Sequence, residues 1–220
     1  GISIESGVPN SPLNRYWQVK NALIAFNTFV DVEHPISLGE GASSERSLPP
    51  DSVTFANNVI LSTGNDDVFS VDAEMTATKW EGNVISASDL GISAPAGVQL
   101  MDPMLELDSD GLWRPSSSSP LLDAAVGDYS FVSLDVDGQS RSDGALDIGA
   151  DEQSSAAVVS RPLSAGDVGP AWLLSSTSTD SEVEIPQYGP TLGVYPNPTA
   201  GGASVELEVA RSMAIRLDVY

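Results

Sequence analysis

The chain has no cysteine. That excludes disulfides, a thiolate nucleophile and any cysteine-based metal site. It has one histidine, His34, which excludes sites built on several histidines and counts against a serine triad. Basic residues are scarce as well: nine Lys and Arg stand against 31 Asp and Glu, a formal net charge of −22. Such a balance argues against nucleic acid and against an anionic membrane surface as partners. It speaks to solubility more than to fold. No apolar run approaches the ~20 residues of a membrane-spanning helix. A secretory signal is missing too, and the first residues, GISIES, are strand-like and lack an initiator Met. The expectation is a fragment or processed product whose beginning is missing. At 220 residues the chain has room for one or two domains.

What is present centres on residues 15–30, RYWQVKNALIAFNTFV. Here apolar residues, aromatics and cations mix, and the end of the run recurs twice. Aligned on asparagine, the copies are Ile24-x-x-Asn27-x-Phe29, Phe55-x-x-Asn58-x-Ile60 and Trp80-x-x-Asn83-x-Ile85, at intervals of 31 and 25 residues. Stacked structural repeats span ~20–45 residues. Each copy is too short and too rich in β-branched and aromatic residues for a helix, so each predicts a strand. A strand repeated at that interval with a fixed Asn predicts a coil of parallel β-helix, an all-β fold. Successive coils would stack ~4.8 Å apart, and aligned Asn amides would bond along the stack. Asn is also an ordinary turn residue. The shared frame, apolar three before and two after, favours the repeat.

Around the copies, residues 2–4 predict a strand followed by the loop GVPNSPLN. Ile36 and Leu38 predict another, and Val68, Phe69 and Val71 a third in the equivalent place. After Ile85 the pattern loosens. From Asp108 the chain is acidic and turn-dense, which predicts a cap folded over the last coil, since an open end exposes apolar cross-section and unpaired strands. Residues 1–152 are thus coils and cap. Residues 153–190, rich in Ser, Thr and Pro, predict a mostly disordered linker in which Trp172-Leu173-Leu174 is able to dock. In residues 191–220, Val205-x-Leu207-x-Val209 and Ile215-x-Leu217-x-Val219 predict a hairpin, the start of a β-sandwich cut short at Tyr220.

The acidic run holding Asp135, Asp137, Asp143, Asp147, Asp151 and Glu152 invites a calcium reading. An EF-hand needs Glu at its twelfth position, and counting from Asp135 that position is Leu146. The expectation is a solvated cap face, with Arg141 paired to one of the carboxylates.

Two stretches resemble known families. GVPNSPLNRYWQVKNALIAFNTFVDV through LPPDSVTFANNVI, with DGLWRPSSSSPLLDA and DVDGQSRSDGALDIGADE, resembles the C-terminal half of the sixth family of polysaccharide lyases, which holds alginate lyases and chondroitinase B. The resemblance covers about residues 1–152 and implies that the parallel β-helix is right-handed. VYPNPTAGGASVELEV resembles the opening of the C-terminal sorting domain of the type nine secretion system.

The first resemblance implies β-elimination on a uronic-acid polymer, alginate in first place. A cation neutralises the carboxylate, a base takes the neighbouring proton and an acid serves the leaving oxygen. In the family, calcium, a Lys and an Arg do this. Their positions are expected before this chain starts, so no catalytic residue and no metal ligand is assigned here, and the fragment alone is expected to be inactive. What remains is one wall of the cleft, with Asn10, Arg15, Tyr16 and Lys20 as candidate contacts to an anionic polysaccharide. Arg15 would fork onto a carboxylate and Tyr16 would stack on a sugar. Alternatively, Arg15 and Lys20 are solvated charges, Tyr16 packs between coils, and His34 is a plain turn residue. The second resemblance implies a secreted or cell-surface protein handled by secretion machinery. A different class stays open: a non-catalytic cell-surface β-helix that binds carbohydrate or adheres.

Overall fold

The structure, a computed structural model, describes residues 1–12, 15–32, 36–141, 144–164, 167–168, 191–195 and 204–208. Among them there is no helix. The chain divides into two compact units, Gly1–Ser164 and Ala165–Tyr220.

Short strands recur in a fixed cycle. The first coil carries β1 (Ser3–Glu5), β2 (Leu23–Ala25) and β3 (Thr28–Val30). The second carries β4 (Ile36–Glu40), β5 (Thr54–Ala56) and β6 (Val59–Leu61). The third carries β7 (Phe69–Val71), β8 (Lys79–Glu81) and β9 (Asn83–Ser86), and β10 (Val98–Leu100) begins a fourth. Like stacks on like, giving sheets β1-β4-β7, β2-β5-β8 and β3-β6-β9-β10. All these pairings are parallel. This is a parallel β-helix, as the repeat predicted.

The register agrees with the sequence frame: Ile24 pairs with Phe55 and Phe55 with Trp80, while Phe29 pairs with Ile60 and Ile60 with Ile85. These rows face inward. Phe55 and Trp80 lie flat on each other, centroids 4.2 Å apart at 8°, and Phe69 meets both edge-on. Burying a side chain of this size contributes about 2–3 kcal/mol.

Between the second and third strands of each coil the backbone turns through a left-handed residue: Phe26 (φ 55°), Asn57 (φ 52°) and Gly82 (φ 62°). Such a conformation is strained for a bulky side chain. At Gly82 it also leaves no room, since a Cβ would lie 2.1 Å from Asn57 Oδ1. The asparagines follow directly. The backbone N–H and Nδ2 of Asn27 donate to Asn58 Oδ1 at 3.1 and 2.9 Å, and those of Asn58 donate to Asn83 Oδ1 at the same distances. Nδ2 of Asn58 also serves the Ile24 carbonyl at 2.8 Å, and Nδ2 of Asn83 the Phe55 carbonyl at 2.8 Å. Buried bends are thereby satisfied without water.

The acidic segment does not close the last coil as expected. The third coil is covered instead by the chain that follows it, with Leu90, Ile92 and Val98 packed on the core. After the antiparallel hairpin of β11 (Leu105–Leu107) and β12 (Trp113–Pro115), residues 116–152 lie along the flank of the stack. Strand residues alternate sides. Where Ile60 and Ile85 point inward, Val59 and Val84 point outward, and they are buried under Leu121 and Ile148. Polar contacts reach all three coils. The Val126 N–H donates to Asn57 Oδ1 and Asn57 Nδ2 donates to the Val126 carbonyl, both at 2.9 Å. The Ala150 N–H donates to Thr28 Oγ1 at 3.0 Å, and the Tyr129 hydroxyl donates to the Glu81 carboxylate.

Nor is this face solvated. Asp137, Asp147, Asp151 and Glu152 are buried, because they bond the turns of their own segment and two arginines. Arg141 pairs with Glu152 at 2.8 Å, the two side chains 1% and 2% exposed. It donates to the Gly149 carbonyl at 2.7 Å and lies over the Phe26 ring, 4.8 Å from its centroid.

The N–H groups of Val159 and Ser160 donate to the Asp137 carbonyl at 2.9 and 2.7 Å, so part of the Ser-rich stretch binds the flanking segment. In the second unit, β13 (Thr191–Tyr195) pairs antiparallel with β14 (Ser204–Glu208). The strand predicted at 205–209 is paired with this upstream partner. Residues 215–219, Trp172-Leu173-Leu174, His34 and Asp143 lie outside the described residues.

Candidate functional site

Residues 15–20 are laid against the entry to the second coil. Gly7 permits the approach, since a Cβ there would lie 2.4 Å from the Gln18 nitrogen. The Val8 N–H donates to the Tyr16 carbonyl at 3.0 Å, Gln18 Nε2 to the Pro49 carbonyl at 2.7 Å, and the Asp51 N–H to the Val19 carbonyl at 2.9 Å. Val19 packs on the core. Arg15, Tyr16, Trp17 and Lys20 are left exposed, Tyr16 by 51% and Trp17 by 58%.

Three of the four expected contacts, Arg15, Tyr16 and Lys20, are therefore exposed within one six-residue stretch. Asn10 sits apart, in an exposed left-handed turn (φ 55°) of the preceding loop. Among the described residues its side chain makes no hydrogen bond to the other three. Trp17 was missed as a candidate. The signal was available, because it extends the aromatic run beside Tyr16.

Most cations are already committed. Arg46 pairs with Glu5 at 2.7 Å and lies 4.1 Å from the centroid of the Tyr16 ring. Lys79 pairs with Glu81 at 2.6 Å. Arg114 pairs with Asp108, Asp110, Asp137 and Asp151. Arg141 is held by Glu152, and Arg161 has a partner as well. Among the described residues Arg15 and Lys20 are the two cations that form no ion pair, side-chain hydrogen bond or ring contact.

A carboxylate cluster lies elsewhere. Oxygens of Asp135, Asp137 and Asp151 come within 4.8 Å of one another. Burial, the main cause, pushes the Asp151 carboxyl up to about 6, against the pull of Arg114. Arg114 Nη1 stands 2.8 Å from Asp137 and 2.5 Å from Asp151, and the bond to Asp137 is the main reason its own pKa rises. The guanidinium supplies the positive charge, so these residues do not fit calcium. A cavity of about 300 Å³ near Phe29 and Ile60 carries Asp31, Asp66 and Asp67 on its walls, a sign that repels a uronate.

The family model described as Chondroitinase B matches residues 1–123. Two solved structures are similar to the chain, the PL6 family alginate lyase AlyGC and a point mutant of it. Each is 34% identical with a TM-score of 0.47, and the match covers 52% of this chain and 15% of that one. The chain spans about 15% of the length of that enzyme. No curated protein matches. The family match takes in more than half of the sequence, including every strand of the β-helix and residues 15–20, and the chain belongs to the chondroitinase B family of polysaccharide lyases.

Proposed function

We propose that this chain is part of a secreted lyase that cleaves a uronic-acid polymer, alginate in first place, by β-elimination. Its own contribution is binding. Arg15 and Lys20 meet carboxylates of the polymer, Tyr16 packs on a sugar ring, and Asn10 contributes from the preceding loop. The observation that carries this reading is that Arg15 and Lys20, exposed in one short aromatic stretch inside the family-matched region, form no ion pair among the described residues. A guanidinium forks onto a carboxylate with geometric selectivity, while an ammonium acts as a compact charge.

The reacting groups, a base, an acid and the calcium that neutralises the carboxylate, belong to parts of the enzyme beyond these residues. The strand pair β13–β14, with PNPTAGG between, is the start of the sorting domain that sends the protein to the cell surface or medium. A second reading, binding without chemistry, is favoured by the same stretch, because nothing in it requires a reaction.

The test has two arms. Intact enzyme with alginate should raise ultraviolet absorbance as unsaturated ends form, and a chelator should abolish the rise. No rise with any uronate polymer leaves the binding-only reading. In the isolated chain, the double variant Arg15→Ala, Lys20→Ala should bind an alginate oligomer roughly tenfold more weakly, as expected for losing two exposed charge pairs of up to ~1 kcal/mol each. Unchanged binding would remove the stretch from the cleft.

A further inference from the structure

One face of the Tyr16 ring is already taken. The Arg46 guanidinium lies 4.1 Å from its centroid, within the range at which a cation and a ring attract. That guanidinium is itself fixed. Nε donates to the Ser6 carbonyl at 3.1 Å, and Nη2 donates to the Glu5 carboxylate at 2.7 Å and to the Glu40 carbonyl at 3.1 Å. Gly41 leaves it space, since a Cβ there would be 2.3 Å from Arg46 Nη1. Tyr16 nevertheless stays half exposed, and among the described residues Arg46 is the one cation or ring that contacts it. The Arg46 side chain is only 20% exposed and its charge is matched by Glu5. It is therefore poorly placed to meet a polymer carboxylate directly.

We infer that Arg46 is a positioning residue. It holds the Tyr16 ring in one orientation, so that the free face is a ready-made platform for a single pyranose ring of the anionic polymer. The inference rests on the function proposed above. Charge recognition falls to Arg15 and Lys20, and ring recognition to Tyr16. A ring fixed beforehand does not lose side-chain freedom when the sugar docks. Lysine would not replace Arg46, because its ammonium has no plane to lie along the ring and no fork to reach three acceptors.

The experiment titrates the 220-residue chain with a saturated mannuronate tetramer, followed by calorimetry at two salt concentrations. Tyr16→Ala should weaken binding about tenfold. Arg46→Met and Arg46→Lys should each weaken it roughly three- to fivefold, although the lysine keeps the charge. Their salt dependence should stay that of the wild type, whereas Arg15→Ala should flatten it. Independently of binding, the Arg46 Nε–H resonance should sit upfield under the ring current of Tyr16 and return in Tyr16→Leu. If Tyr16→Ala binds weakly while both Arg46 variants bind like the wild type, the role of Arg46 is overturned and the functional reading stands. A wild-type chain that does not bind the tetramer overturns both. Should Arg46→Met fail to fold, Arg46→Lys and the resonance decide, and an unshifted resonance sinks the inference.

Discussion

In the coils, Ile24, Phe55 and Trp80 occupy one inward row and Asn27, Asn58 and Asn83 one corner. In residues 116–152 no position repeats, and the segment is held by single contacts: Leu121 and Ile148 on two valines, Tyr129 on Phe26, Arg141 on Glu152. The coils satisfy their polar groups with neutral amides in register. The flanking segment satisfies its own with charges buried in pairs. A stack of equivalent rows spreads its stability over many similar contacts, whereas a segment held at unlike points depends on each one.

The largest effect should follow from breaking a buried charge pair. Arg141→Ala takes the guanidinium away from the buried Glu152 carboxylate and should cost about 3–5 kcal/mol, seen as an early melting transition. Arg141→Met with Glu152→Leu should recover most of that loss. A single variant that melts like the wild type would mean that charge does not pin the flank.

Next comes the corner. Asn58→Ala removes the acceptor of the Asn27 backbone N–H and one donor each to the Asn83 oxygen and the Ile24 carbonyl, at about 3 kcal/mol, because each buried unmet group costs ~1–3 kcal/mol. Asn27→Ala at the half-buried first coil should cost about 1 kcal/mol. Equal losses in a denaturant titration would show that burial does not grade the ladder.

Smaller is Tyr129→Phe, roughly 1–2 kcal/mol for a bond to a charged acceptor. Glu81 is held below the usual carboxylate range, first by Lys79 and then by Tyr129. A carboxylate with a lowered folded value stabilises above its unfolded pKa and loses that contribution as pH falls through the folded one. The gap between Tyr129→Phe and the wild type should therefore close on acidification.

Asp151 has the opposite sign. Its folded value of about 6 lies above the ordinary 3.8, so its favourable contribution is complete below pH 3.8 and lost as pH rises through 6. Relative to the wild type, Asp151→Asn should gain between pH 4 and pH 7. A gap that is flat across this window would show that burial does not disfavour the charge.

The coils were legible in the sequence because equivalent positions carry equivalent chemistry, and a residue three before or two after each Asn is enough to set the register. β10 was not, since Val98 pairs with Asn83 and carries no Asn of its own. The flanking segment was misplaced because its partners, Phe26, Asn57 and Glu81, come from three different coils and carry unlike chemistry. Its carboxylates were read as solvated because buried acids are uncommon unless paired; the pairing of Arg141 was foreseen, whereas that of Arg114 with Asp137 and Asp151 leaves no trace in spacing. At the candidate site, the cation-and-aromatic run at residues 15–20 stood out. The contact between Arg46 and Tyr16 did not, because it joins two coils through space.

The two rungs of the asparagine ladder run the same way: in each, the acceptor oxygen belongs to the later coil. Side-chain dipoles so arranged reinforce one another head to tail, and a coil offered upside down would set oxygen against oxygen. Three amides thus give the stack a single polarity along its axis.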